Sequence, residues 1–457
     1  MSPRPDPPLL IASQGNINPP YVQYALFLAI ALFAFPKGKL PGVPTISGLE
    51  FSLMSSIYVV TLASLAGTRF RVPQHPFLVY LMLFPFLVIA SGVLPYVLGS
   101  DTVRGLVGFH GGHDVSPNPV DSILQGLRRV SSTLVILLLY NATLDHGGGR
   151  RLLLTIFYAI PSAGVLFILQ VHGFMGPYEP PVPQSMPLAK ILSDQLGVGF
   201  LHDIVKGIRF SGNTGSATSY GLLCALGLIW ALHLRYHRHI GWSLFLLVSS
   251  VLVVFLILAM PKAVFVTFVL VYVVYLLVLR SAYVTAMLSF AVVLGLIYLP
   301  TSNMLLVMIQ AIDVLTHDTE GSGGTRMEKW LSAGWITSGD PIQLLFGHGW
   351  RANPTGWHSE YVGLLMGFGP LFGLLLIGMI TVGFWSWIHQ LPLKTNAPIS
   401  RALLYAFMVM ILVPSFFQDL FHDSHVFFLL CMLVATAERL SRDESYAVVR
   451  PPAPSIP

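Results

Sequence analysis

The chain has 457 residues, of which 54% are hydrophobic and only 10% charged, and its mean hydropathy is +0.72. A water-soluble fold of this size could not clothe its surface with so few charges, so the composition excludes a soluble globular protein and predicts an integral membrane one. The formal net charge of +5 reports membrane orientation, as the loops argue below, and gives no reason to invoke nucleic acid as a partner.

The first twenty residues, "MSPRPDPPLLIASQGNINPP", have no basic stretch leading into an apolar core and a small-residue cleavage site. No signal peptide is expected there, and the first apolar segment is expected to be retained. A helix rises about 1.5 Å per residue across a hydrocarbon layer of about 30 Å, so a span needs roughly 20 apolar residues. Segments of that kind fall at 20–36, 48–67, 76–98, 126–144, 152–174, 216–234, 240–259, 261–279, 283–300, 359–388, 401–417 and 424–438, which makes about twelve transmembrane helices in a single membrane domain, 1–457. Short connections then carry Arg69 and Arg71, Arg150 and Arg151, Arg235 and Arg238, Arg280, Lys394 and Arg401, with Arg439 and Arg442 after the last span. All of these fall on one side, with Lys37 and Lys39 as mild exceptions. By the positive-inside rule that side is the cytoplasm, and both termini are expected there. Cys224 and Cys431 lie in apolar segments, where packing is expected rather than a disulfide.

Two outer connections are much longer than any inner one, at 175–215 and 301–358, and long loops tend to carry function. The first opens Pro-rich and continues "LAKILSDQLGVGFLHDIVKGIRF", whose apolar spacing predicts an amphipathic helix on the membrane surface. The second contains "GSGGTRMEKWLSAGWITSGDPIQLLFGHGW", which predicts another interfacial helix, and it holds Trp330, Trp335, Trp350 and Trp357. Those indoles suit an aromatic belt at the headgroups or ring faces that stack on sugars.

Once the topology is set, Arg209, Lys262, Arg326 and Arg351 stand out as cations on the side that the rule leaves poor in them. A solvated loop Arg or a snorkelling Lys explains any one of them singly. Several gathered at one mouth would suit a diphosphate at the head of a lipid, because the guanidinium fork matches phosphate oxygens and such contacts strengthen as the diphosphate leaves. The run "GSGGTR" offers backbone N–H groups to the same anion, or simply a flexible loop. His358 stands where the next long apolar helix is expected to open. The positive end of the helix dipole there disfavours imidazolium, so a neutral His358 could take a proton from an attacking sugar hydroxyl. Glu360 is not paired with it, and Gly363, Gly367, Gly369 and Gly373 read as close-packing positions. Arg128 and Arg129 are further candidates for the anion, although adjacent helical residues cannot both face it.

At these residues the sequence resembles the superfamily of O-antigen ligases and O-antigen or exopolysaccharide polymerases. The pattern of a His opening a late helix, with a Gly about eleven residues on, reads here "HSEYVGLLMGFG", His358 to Gly369. An Arg-x-x-Gly before a middle span reads "RFSG" from Arg209, a Gly-rich turn with Arg then Trp reads "GGTRMEKW" around Arg326, and a later Gly-x-Gly reads "FGHGW". Lys262 stands where Arg is commoner, and "NTGSATSYG" replaces an Asn-Pro-Asn stretch of many members. The resemblance covers roughly 200–375. It implies an all-α, GT-C-like glycosyltransferase of the bacterial inner membrane, acting at the periplasmic face on an undecaprenyl-diphosphate-linked glycan. The implied roles are general base for His358 and donor diphosphate binding for Arg209, Lys262, Arg326 and Arg351, with no metal or other cofactor; a chain-length regulator is a compatible partner beside the lipid bilayer.

Within that resemblance the expected activity is polymerisation of lipid-linked repeat units, with a ligase that passes the glycan to lipid A core as the nearest alternative. A transporter or lipid flippase, or a structural membrane subunit, belongs to other classes. Transporters favour midplane charges and internal repeats, and no repeat is visible. Two outer connections, "FHGGHD" with His110, His113 and Asp114, and "QDLFHDSH", could each hold a metal in isolation.

Overall fold

A computed structural model describes residues 57–58, 60–61, 64–65, 70–98, 119–141, 146–173, 210, 216–259, 262–279, 341–347, 359–393, 398–418, 420 and 423–449. All regular structure among them is helical: α1 (Pro76–Val97), α2 (Pro119–Asn141), α3 (His146–Val171), α4 (Ala217–Tyr236), α5 (Trp242–Ala259), α6 (Lys262–Val278), α7 (Pro341–Phe346), α8 (Glu360–Gly378), α9 (Phe384–Gln390), α10 (Arg401–Leu412) and α11 (Ser424–Val449). A π turn, Met379–Gly383, carries α8 into α9. Six stretches are long and apolar enough to cross a membrane: Pro76–Val97, Ser122–Asn141, Leu152–Leu169, Ala217–Tyr236, Trp242–Ala259 and Glu360–Gln390. Two shorter apolar helices, Ala263–Val278 and Arg401–Phe416, join them. The chain is a helical membrane protein. The segments expected at 20–36 and 283–300 lie outside the described residues, as does most of 48–67.

The bundle is organised around α4, which is buried from Ala217 to Leu234, while α5 is mostly turned outward. Small residues permit the closest approaches. A Cβ on Gly227 would sit 2.9 Å from Leu252 of α5, and one on Gly126 of α2 would sit 2.7 Å from the Pro85 carbonyl of α1. Aromatic rings fill the remaining space: Phe77 stacks on Phe384 at 4.6 Å, and Trp230 meets Phe157 at 5.7 Å and Phe407 at 5.9 Å. Cys224 and Cys431 are both buried and unpaired, as packing residues would be.

A chain of hydrogen bonds gathers one set of helix ends. The Asn141 side chain accepts from Arg71 N at 2.7 Å and donates to Arg71 O at 2.9 Å, tying the end of α2 to the segment before α1. Trp387 Nε1 donates to Glu438 at 2.9 Å, Trp230 Nε1 to the Pro398 carbonyl at 3.1 Å, and Tyr236 Oη to the Leu279 carbonyl at 2.8 Å. Arg71, Arg235, Arg238, Arg401 and Arg439 therefore share one end of the bundle, as the loop charges predicted. We call it the basic end.

The expected helix at 359–388 is not straight. Pro370 lacks an N–H and crowds the preceding turn, and Gly369 takes φ 78° and ψ 158°, a conformation open only to glycine. A Cβ on Gly373 would lie 2.7 Å from Leu365 Cα, yet eight residues of straight helix would separate them by about 12 Å. The chain thus bends sharply at Gly369, and Glu360–Phe368 forms a short first arm.

Candidate functional site

Four of the five residues singled out by sequence, Arg209, Arg326, Arg351 and His358, lie outside the described residues; so do His110, His113 and Asp114. Lys262 is the first residue of α6, and its side chain is likewise not described. The structure does fix what stands next to two of them in sequence. Phe210, after Arg209, is fully buried: its ring meets Phe167 of α3 at 5.0 Å, Tyr220 of α4 at 5.4 Å and Phe255 of α5 at 4.8 Å. Phe255 lies one turn before the end of α5 and seven residues ahead of Lys262, so the end of the first long connection is anchored near the place where α5 gives way to α6.

Ser359, after His358, is the N-cap of α8, and its hydroxyl accepts from Val362 N at 3.4 Å. The helix therefore begins at Glu360, one residue into the span expected at 359–388, and His358 precedes the cap instead of opening the helix. The cap explains the shift, because a Ser hydroxyl satisfies an otherwise orphaned N–H of the first turn.

That first arm starts inside the bundle. The Tyr361 hydroxyl donates to the Leu412 carbonyl at 2.9 Å, and its ring lies 4.4 Å from Phe416. α10 rises from the basic end for 12 residues and stops at Leu412, which at 1.5 Å each is about 18 Å and short of a 30 Å layer. Glu360 is accordingly only 1% exposed. Its carboxylate lies within electrostatic range of the Tyr80 phenol on α1, and the other end of the arm, Phe368, meets Phe84 of α1 at 6.2 Å.

Glu360 is the residue that sequence reasoning missed. A carboxylate in the first turn of a helix is ordinary, since the dipole favours it there. Only the burial, in a chain this apolar, marks it out.

A second ionisable residue is buried on α2. Arg129 is 1% exposed, and its Nη1 donates to the Gln125 carbonyl at 2.9 Å and to Gln125 Oε1 at 3.1 Å. Ser122, Ser132 and Thr133 are buried with it, and the Thr133 hydroxyl donates to the Met82 carbonyl of α1 at 2.8 Å. These residues and Gln125 recur at three- and four-residue spacing, so α2 turns a polar stripe toward α1 and α11, against both of which it packs. Of the two adjacent arginines, Arg129 is the one shown to face inward.

At the start of α11, His425 is buried, with Nδ1 3.7 Å from Asp423 Oδ1, whose other role is to accept from His425 N at 3.1 Å. Two residues on, Phe427 meets Phe84 at 5.3 Å, so this start and the α8 arm flank the same ring of α1. Among the described residues no group of three His, Cys, Asp or Glu could hold a metal ion. Comparison with protein-family models, with curated proteins and with solved structures finds no match for this chain.

Proposed function

We propose that the protein is a bacterial inner-membrane glycosyltransferase of GT-C-like architecture, with about twelve spans and both termini in the cytoplasm. It polymerises undecaprenyl-diphosphate-linked oligosaccharide repeat units of an exopolysaccharide or O-antigen at the periplasmic face. A functional centre in the bundle is supported by two ionisable side chains, Arg129 and Glu360, buried among apolar membrane helices, and its assignment to glycan transfer rests on the motif resemblance at Arg209, Arg326 and His358, two residues before Glu360. Charge held at such a cost in a membrane marks a pathway or reaction centre far more often than a packing role.

In this account His358 accepts the proton of an acceptor hydroxyl as that oxygen attacks the anomeric carbon of the donor. The bond from that carbon to the diphosphate oxygen breaks, and Arg209, Lys262, Arg326 and Arg351 take up the charge that collects on the departing undecaprenyl diphosphate. Arg129 adds a fixed cation within the bundle. None of these steps calls for a resident metal.

Membranes containing the protein, supplied with an undecaprenyl-diphosphate-linked repeat as the sole substrate, test the reaction class. A polymerase extends it into a ladder of products. Unchanged substrate, with transfer appearing only after lipid A core is added, would make the protein a ligase; transfer under neither condition, with the lipid moved across the bilayer, would make it a flippase.

A further inference from the structure

The connection between α4 and α5 carries a cationic patch that the proposed reaction does not use. Arg235 lies in the last turn of α4, with its guanidinium carbon 4.2 Å from the centroid of the Trp242 ring. Its Nη1 reaches the Ile240 carbonyl at 3.5 Å, and its Nε, shielded from water, has no partner among the described residues. Arg238 is exposed and takes φ 58°, a left-handed conformation uncommon for a side chain without a local hydrogen-bonding group. Two backbone bonds hold it there: Arg238 N to Arg235 O at 3.0 Å, and His239 N to Leu234 O at 2.8 Å. The same bonds close the end of α4 and place Arg238 in the same short turn, three residues after Arg235.

Nothing in the sequence offsets these charges locally, since no acidic residue occurs between Asp203 and Asp313. His237 and His239 flank the arginines, and burial together with His239 pulls His237 below its ordinary value, so the patch takes its charge from the arginines. Trp242 is 46% exposed, and beyond it Leu246, Leu247 and Val253 present an outward apolar strip along α5. A ring at the top of an apolar strip, beside fixed cations, is the arrangement of a helix end at the headgroup level.

We propose that Arg235, Arg238 and Trp242 bind the phosphate headgroup of an anionic phospholipid in the leaflet at the basic end. Stacking on Trp242 fixes the guanidinium plane of Arg235, and its second Nη group is the one offered to phosphate oxygens. Arg238 supplies the second charge, and the acyl chains lie along Leu246, Leu247 and Val253. The site is independent of the transferase reading.

The test uses the purified full-length protein in neutral detergent, with its thermal unfolding midpoint read against added phosphatidylglycerol, phosphatidylethanolamine or inorganic phosphate. Phosphatidylglycerol raises the midpoint and the other two do not. In the double variant Arg235→Gln, Arg238→Gln, the apparent affinity for phosphatidylglycerol falls by roughly tenfold or more, as expected for lost charge-assisted contacts. If that variant fails to accumulate, Arg235→Lys with Arg238→Lys keeps the charge and removes the fork, and the affinity falls by a smaller but measurable factor. An undiminished response in the variant, or an equal response to phosphatidylethanolamine, overturns the proposal. A shift reproduced by inorganic phosphate alone overturns the assignment to lipid.

Discussion

Gly347 and Gly369 meet back to back, each in the left-handed half of backbone space, with φ 72° and 78°. A Cβ on Gly347 would run into the Gly369 nitrogen, and one on Gly369 would lie 2.7 Å from the Leu344 carbonyl oxygen. The contact seats α7 on the bend of α8 and so fixes where the first arm points. Gly369→Ala combines backbone strain with a clash against backbone atoms, and it should destabilise the protein by about 2 kcal/mol or more. Gly378, helical and with nothing within 4 Å of a Cβ, is the control: Gly378→Ala should be neutral or stabilise by about 0.5 to 1 kcal/mol. Thermal midpoints in detergent decide between them. Equal midpoints for the two variants would mean that the bend is not held by this contact.

The end of the bundle with His75 should make stability fall with acid. His75 Nδ1 accepts from Phe77 N at 3.2 Å and caps α1, a role that protonation removes. Burial holds its pKa below the ordinary value of 6.5, with Glu438 opposing more weakly. The folded state therefore binds the proton less readily than the unfolded chain. The stability this supplies is complete above pH 6.5 and is lost as the pH falls through the lowered folded value. His75→Asn keeps a capping oxygen without titrating, and its melting curves should vary less than those of the wild type between pH 7.5 and pH 5.5. Identical pH profiles would contradict the assignment.

His75 and Glu438 also line a cavity of about 410 Å³ with Gln74, Trp387, Gln390 and Ser441. Glu438 accepts the Trp387 indole N–H there, so Glu438→Gln, which preserves an acceptor, should be mild. Glu438→Ala leaves a half-buried N–H without its partner and should cost about 1 to 3 kcal/mol. Tryptophan fluorescence and unfolding in parallel separate the two, and a mild Glu438→Ala would show that water replaces the carboxylate at no cost.

Arg129 discriminates a structural from a catalytic use of buried charge. Replacing a buried ion by an apolar group of similar length is often neutral or stabilising in itself. Arg129→Met should thus accumulate at wild-type levels while glycan product falls about a hundredfold, in the range for removing one charge-stabilising group. Full activity per molecule in a protein of altered stability would assign Arg129 to packing.

How much of this was legible in the sequence follows from what each signal measures. Apolar runs of about 20 residues located the long apolar helices among the described residues because the hydrocarbon layer imposes that length, and Ser216, Ser359 and Ser400 sit as N-caps just before theirs. The bend at Gly369 was hidden because the apolar run continues through it, although the Gly-Pro pair is a local breaker. Burial of Glu360 had no sequence signature, since the bend alone carries the start of that arm into the bundle. Arg129 was half legible: Ser122, Gln125, Arg129, Ser132 and Thr133 share a helical face, but in a membrane such a stripe points inward, and the pattern alone does not say which neighbour it meets.

The central claim is transfer chemistry that depends on His358. Glycan product in membranes from His358→Ala, compared with wild type at matched protein levels, tests it most directly, with Arg209→Ala and Arg326→Ala alongside. The account predicts a fall of about 10² to 10⁴-fold for His358→Ala, as for loss of a general base, with the lipid-linked donor accumulating. Normal product from His358→Ala would contradict the general base, and normal product from all three variants would contradict the transferase reading itself.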